Sequence, residues 1–164
     1  MPEIAIDACV FINLFDTRKS ANEDGHVDMV LSHYLLKDYQ LLVDSTGKIG
    51  LDFKKIIIPI LTGASEEGTQ LTLLRQWMMP ERHQVVDLQP TDLLMRAIRS
   101  VIYEPSESPD RAFVYVACKN GTDLISNDEI HILGRRGDLL KAAKKAGYKS
   151  TEIVSSKEAY EGIA

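Results

Sequence analysis

Four aspartates in this chain stand where carboxylates could meet: Asp7 closes the apolar run EIAI, Asp52 lies in IGLDFKKIIIPIL, Asp110 opens DRAFVYVACKNG, and Asp128 follows the short run TDLIS. Converging carboxylates repel, two like charges ~4 Å apart by about 4 kcal/mol at an effective dielectric near 20. Mg2+ or Mn2+ removes that repulsion, because hard cations prefer carboxylate oxygen and keep water positions open. Two such ions side by side would activate water and stabilise the leaving oxygen of a phosphodiester. Metal-dependent phosphodiester hydrolysis is the chemistry these residue types suggest.

Whether the four meet depends on the elements that carry them. Residues 3–7 read as a buried strand, with a short helix over 8–15 directly after it. A polar loop occupies 18–25. From His26 to Tyr39, apolar residues recur at helical spacing, and 40–44 then reads as a second strand with a turn at 45–47. The next helix, 49–61, holds Asp52 in its first turn and Pro59 as a kink or terminus. Further on come a helix over 69–79, a strand over 83–88 and an amphipathic helix over 91–103, which the sequence SESP at 106–109 brings to an end. A helix starting at Asp110 stops at Gly121, a residue suited to a left-handed C-cap. A strand at 122–126, a basic helix at 135–147, a strand at 151–154 and a short terminal helix complete the chain.

Strand followed by helix throughout implies a parallel sheet covered on both faces. In such sheets the functional crevice lies outside the carboxyl ends of the strands. If 3–7 and 122–126 are neighbours, Asp7 and Asp128 emerge on one rim, while Asp110 and Asp52 enter it from the first turns of their helices.

With 164 residues and 45% apolar composition, the chain has the size of one domain, 1–164, with a core of its own. Its net charge of -5 argues against gripping nucleic acid through an overall field. The segment from 131 on is nevertheless basic. Lys141, Lys144, Lys145 and Lys149 share a helical face by their spacing and could follow a phosphate backbone, with a solvated face as the plainer reading. Cys9 and Cys118 show no metal or disulfide spacing and read as buried free thiols. No run approaches the ~18 apolar residues of a membrane span, and an acid stands where a secretory signal would be positive, so a soluble cytoplasmic protein with no membrane partner is expected.

Three stretches, IAIDACVFI, GKIGLDF and SPDRAFVYVACKNGTDLISNDEIHIL, resemble the acidic blocks of the PIN-domain nucleases. The resemblance implies that Asp7, Asp52, Asp110 and Asp128 bind Mg2+ or Mn2+ and carry catalysis, with Ser126 and Asn127 supporting the acids or touching substrate. Lys141 and Lys145 of the basic face are the further candidates for substrate contact. It also implies a three-layer α/β/α sandwich with a central parallel sheet in the order 3-2-1-4-5, and RNA as substrate. A small single-domain member of that family would be a toxin-type endoribonuclease with an antitoxin protein as partner, and a homodimer. The alternative is a catalytically weak PIN-like module that binds RNA or a protein.

Each residue also has a plainer role open to it. Asp7 could cap the helix starting at Ala8, Asp110 could be first-turn charge favoured by the helix dipole, and Asp128 could be a turn residue. Asp52 could pair with Lys55; strand-end position alone favours Asp44 as the fourth acid, whereas the resemblance favours Asp52. Glu129 is a lesser contender. His131, one turn beyond Asp128, could touch a phosphate or donate a proton, against a structural role. His26, His33 and His83 form no ligand spacing.

Overall fold

The computed structural model describes residues 1–16, 21–63, 68–148 and 151–163. Five strands form one parallel sheet: β1 (Glu3–Ile6), β2 (Gln40–Asp44), β3 (His83–Val86), β4 (Leu124–Ile125) and β5 (Ile153–Val154), in the order β3-β2-β1-β4-β5. The central strand β1 is apolar from Ile4 to Ile6 and buried there, as a strand covered on both faces must be. Helices flank the sheet in a three-layer α/β/α sandwich: α1 (Ala8–Asn13), α2 (His26–Leu36), α3 (Lys48–Gly63), α4 (Thr69–Trp77), α5 (Leu93–Val101), α6 (Ser108–Asn120), α7 (Arg136–Lys145) and α8 (Ser156–Ile163). The strand order is the one the resemblance implies.

Helix α2 packs against α1, α4 and α8, while α5 packs between α6 and α7. Seven consecutive residues of α6, Ala112 to Cys118, are buried, because this helix touches four strands as well as α3 and α5. Such all-round burial suits a helix hydrophobic on every face. Phe11 of α1 meets Phe53 of α3 and Trp77 of α4 edge to face, at centroid distances of 5.8 and 6.3 Å. Trp77 is wholly buried and donates its Nε1–H to the Leu31 carbonyl at 3.2 Å.

Several element ends fall differently from the sequence reading, each for a local reason. Helix α2 stops at Leu36 rather than Tyr39, because Asp38 takes a left-handed φ of 57° and Tyr39 N–H returns to the Tyr34 carbonyl at 3.1 Å. Helix α5 starts at Leu93, since Asp92 is its N-cap and accepts from Met95 N–H at 2.8 Å. Pro59 does not end α3, which runs on to Gly63. Helix α6 begins at Ser108 with Pro109 in its first turn, so Asp110 lies inside the helix and not at its first residue. Helix α7 ends at Lys145, where Gly147 at φ 97° turns the chain, so the basic face is shorter than its spacing suggests. Lys149 and part of the loop at 18–25 lie outside the described residues. Among those residues, no helix is long and apolar enough to cross a membrane.

Candidate metal centre

β1 and β4 are neighbours, with Ala5 opposite Leu124 and Ile6 opposite Ile125. The chain continues outward from this pair toward β2 on one side and β5 on the other, so its carboxyl end is the point where the strand order reverses. One residue past the register, Asp7 N–H donates to the Ile125 carbonyl at 2.9 Å and Ser126 stands beside Asp7. Asp7 is the N-cap of α1 by position, but its carboxylate forms no regular side-chain cap there. It accepts from Ser126 Oγ at 2.8 Å instead. Burial pushes the Asp7 carboxyl up from 3.8 to about 6; hydrogen bonds from Ser126 and Cys9 oppose this, and the charge of Asp128 adds to it.

Ser126 is fully buried and its Oγ also accepts from Asp128 N–H at 3.1 Å, so one hydroxyl fixes both acids. Asp128 uses Oδ1 to accept from Ile130 and His131 N–H, at 3.0 and 2.9 Å. This is the turn role open to it from sequence, and it leaves Oδ2 3.6 Å from His131 Nδ1. The loop closes where Leu133 and Gly134 N–H donate to the carbonyls of Asp128 and Glu129, at 2.8 and 2.9 Å. Gly134 is needed there, since a Cβ would overlap the Glu129 carbonyl oxygen.

Asp110 reaches the same place from the first turn of α6. Its Oδ2 is buried and has no hydrogen-bond partner. Burial, a proton-sharing contact with Glu107 and the charges of Asp7, Asp128 and Glu107 hold its carboxyl far above the usual range. One oxygen from each of Asp7, Asp110 and Asp128 lies within 4.8 Å of the others, and a second group joins Glu107, Asp110 and His131 on the same criterion. His131 Nδ1 stands 3.5 Å from Asp110 Oδ2 and 3.6 Å from oxygens of Glu107 and Asp128. A buried carboxylate oxygen that accepts no hydrogen bond, among other carboxylates and with an imidazole nitrogen 3.5 Å away, is costly for a protein alone. Hard-cation ligation would satisfy it, and the donor set fits a divalent metal.

The other sequence candidates fall into different roles. Asp52 is in neither group; half-buried, its carboxyl is raised by burial, with Lys55 lowering it and Glu107 raising it further. It therefore stands at the edge of the cluster, within electrostatic reach of Glu107. Asp44 accepts from Thr46 Oγ1 and from the N–H groups of Lys48 and Ile49, at 3.2 and 2.8 Å for the latter two, and so caps α3. Glu129 is exposed and in neither group. Asn127 turns its side chain into the fold: it donates to Asn13 Oδ1 and Ser156 Oγ, at 2.7 and 3.0 Å, and accepts from Ser156 N–H at 2.9 Å. Its role is to tie the Asp128 loop to α1 and α8.

Lys141 and Lys145 line an open groove of about 610 Å³ between α5 and α7, together with Leu93, Arg96 and Asp138. The helix rise of 1.5 Å per residue puts Lys145 roughly 13 Å along α7 from Arg136, away from the rim. The structure does not bring these lysines to the carboxylates. It does bring Glu107, which the sequence reading passed over as part of a helix break. The available signal was the spacing Glu107-x-x-Asp110 at a helix start, which puts two acids on one face.

No protein-family model matches the chain, and no curated protein matches it.

Proposed function

We propose that this protein is a metal-dependent endoribonuclease of PIN-like type, with Asp7, Asp110 and Asp128 holding Mg2+ or Mn2+. The observation that carries the reading is the Asp110 carboxylate, whose buried Oδ2 accepts no hydrogen bond and has His131 Nδ1 at 3.5 Å, grouped with Asp7 and Asp128 at the point where the strand order reverses. Glu107 and His131 widen the donor set, and Asp52 is within electrostatic reach of Glu107. A bound divalent ion would supply charge neutralisation for a phosphodiester and lower the proton affinity of a water molecule.

The chain's own part is positioning. Ser126 locks Asp7 and the backbone of Asp128 to one hydroxyl, and the turn at Asp128 presents its second oxygen. His131, with Nδ1 among three carboxylates, would add a nitrogen donor to the ion, leaving Nε2 to carry the imidazole proton. On the same resemblance, an antitoxin protein and a second copy of the chain are the proposed partners.

The position of Asp52 outside the three-aspartate group favours a second reading, a PIN-like module that binds RNA without cutting it efficiently. Incubating the purified protein with end-labelled single-stranded RNA, with and without Mn2+ or Mg2+, separates the two. Metal-dependent cleavage that Asp7→Asn and Asp128→Asn abolish supports the nuclease. Retained RNA binding with no cleavage over a range of sequences rejects it in favour of the module.

A further inference from the structure

Tyr103 lies between α5 and the turn at 105–107 that leads into α6, and the residue is 69% exposed. A single exposed aromatic residue is ordinary on a protein surface. Here, however, the backbone on both sides of it is fixed by two arginines. Arg111 donates to the carbonyls of Ile102 and Glu104, at 3.1 and 2.8 Å. Arg135 donates to the Val101 carbonyl at 2.9 Å and grips the Glu104 carboxylate with two nitrogens, at 3.0 and 2.6 Å. The Arg135 guanidinium also lies 5.4 Å from the centre of the Tyr103 ring, a cation–π distance.

Both arginines belong to the segments that build the carboxylate cluster. Arg111 directly follows Asp110, and Arg135 follows Gly134, which closes the loop of Asp128 and His131. The ring is thus anchored to the same rim as the acids and held by a guanidinium while staying open to solvent. An aromatic ring fixed in advance loses little freedom on binding a flat ligand. Unpaired nucleobases are such ligands: stacking on an aromatic side chain contributes about 1–3 kcal/mol per base and tolerates any sequence. A base-paired strand offers no free base face to such a ring.

We propose that Tyr103 is a stacking platform for an unpaired base of single-stranded RNA, held by Arg135 and Arg111 beside the carboxylate cluster; this rests on the nuclease reading above. The ring therefore selects single-stranded over duplex substrate and confers little preference among bases.

The test measures binding of a fluorescein-labelled ten-nucleotide single-stranded RNA to the full chain by anisotropy, in Ca2+, with intact RNA verified on a gel. Tyr103→Ala is expected to weaken binding about tenfold and Tyr103→Phe to keep it within about twofold, while calorimetric Mn2+ affinity is unchanged in both. Equal RNA affinity of Tyr103→Ala and the unaltered protein overturns the platform and leaves the nuclease reading standing. Loss of Mn2+ affinity in Tyr103→Ala also overturns it, by making the ring a structural support of the metal centre. Failure of the unaltered protein to bind single-stranded RNA at all removes both.

Discussion

Asp7 is buried at the carboxyl end of the central strand, accepts a side-chain hydrogen bond from Ser126, and leaves the N-terminus of α1 without a side-chain cap. Its carboxyl has a pKa near 3.8 in the unfolded chain and about 6 in the folded one. A raised value means that the folded chain binds the proton more tightly, so the cost of ionising Asp7 is absent below 3.8, grows between the two values and is complete above about 6. The metal-free protein, kept in chelator, is therefore expected to melt at a higher temperature at pH 5.5 than at pH 7.5. Asp110, whose carboxyl burial also raises, adds to the same trend, while Glu104, held down at about 2 by the Arg135 fork, adds no slope in that window. Asp7→Asn should raise metal-free stability by about 1–3 kcal/mol at pH 7.5 and weaken Mn2+ binding, read by thermal melts and calorimetry. A loss of stability instead would mean that the aspartate serves the fold as a hydrogen-bond partner. At His131, an imidazole nitrogen among carboxylates favours softer divalent ions. His131→Ala is expected to narrow any preference for Mn2+ over Mg2+ in binding titrations.

The helix and strand that deliver a ligand matter as much as the ligand. Asp44 holds the start of α3, and Asp44→Ala should cost about 1–2 kcal/mol in chemical denaturation through the lost cap, with Mn2+ affinity close to that of the unaltered protein. Gly134→Ala acts on the loop between β4 and α7, where a methyl group would meet the Glu129 carbonyl oxygen. It should cost about 1–3 kcal/mol and lower Mn2+ affinity as well, because the displaced turn carries Asp128 and His131. At this scale the sequence was readable wherever periodicity and turn chemistry agreed. The run QLLVD is the strand β2 in full, and Gly121 at φ 63° is the left-handed cap of α6. Strand β4 is shorter than the predicted 122–126 because Thr122 N–H still closes the end of α6 on the Ala117 carbonyl at 3.0 Å, while Ser126 N–H reaches the Val154 carbonyl and its hydroxyl donates to Asp7 and accepts from Asp128 N–H. Glu107 was hidden because its partner Asp110 is near in sequence while His131 is brought in only by the closing of a distant loop. Lys141 and Lys145 line the groove between α5 and α7, because α7 carries them down its length from the loop of Asp128 and His131, a direction that charge spacing alone does not reveal.

Across the whole molecule, a metal that binds only the folded chain adds its binding free energy to stability. At a free concentration of Mn2+ 100 times its dissociation constant this amounts to about 2.7 kcal/mol, or a rise in melting temperature of roughly 5–10 °C for a chain of this size. Reversal by chelator, and near absence of the effect in Asp128→Asn, are the expected controls; an equal rise in that variant would place the ion elsewhere. Helix α1, which directly follows Asp7, packs on Trp77, the chain's single tryptophan, which is wholly buried and in edge contact with Phe11, four residues beyond Asp7. Its fluorescence therefore comes from one place. Emission should be blue-shifted in the folded protein and move to the red on denaturation as one unmixed signal, so that folding and the setting of α1 can be followed without attaching a dye.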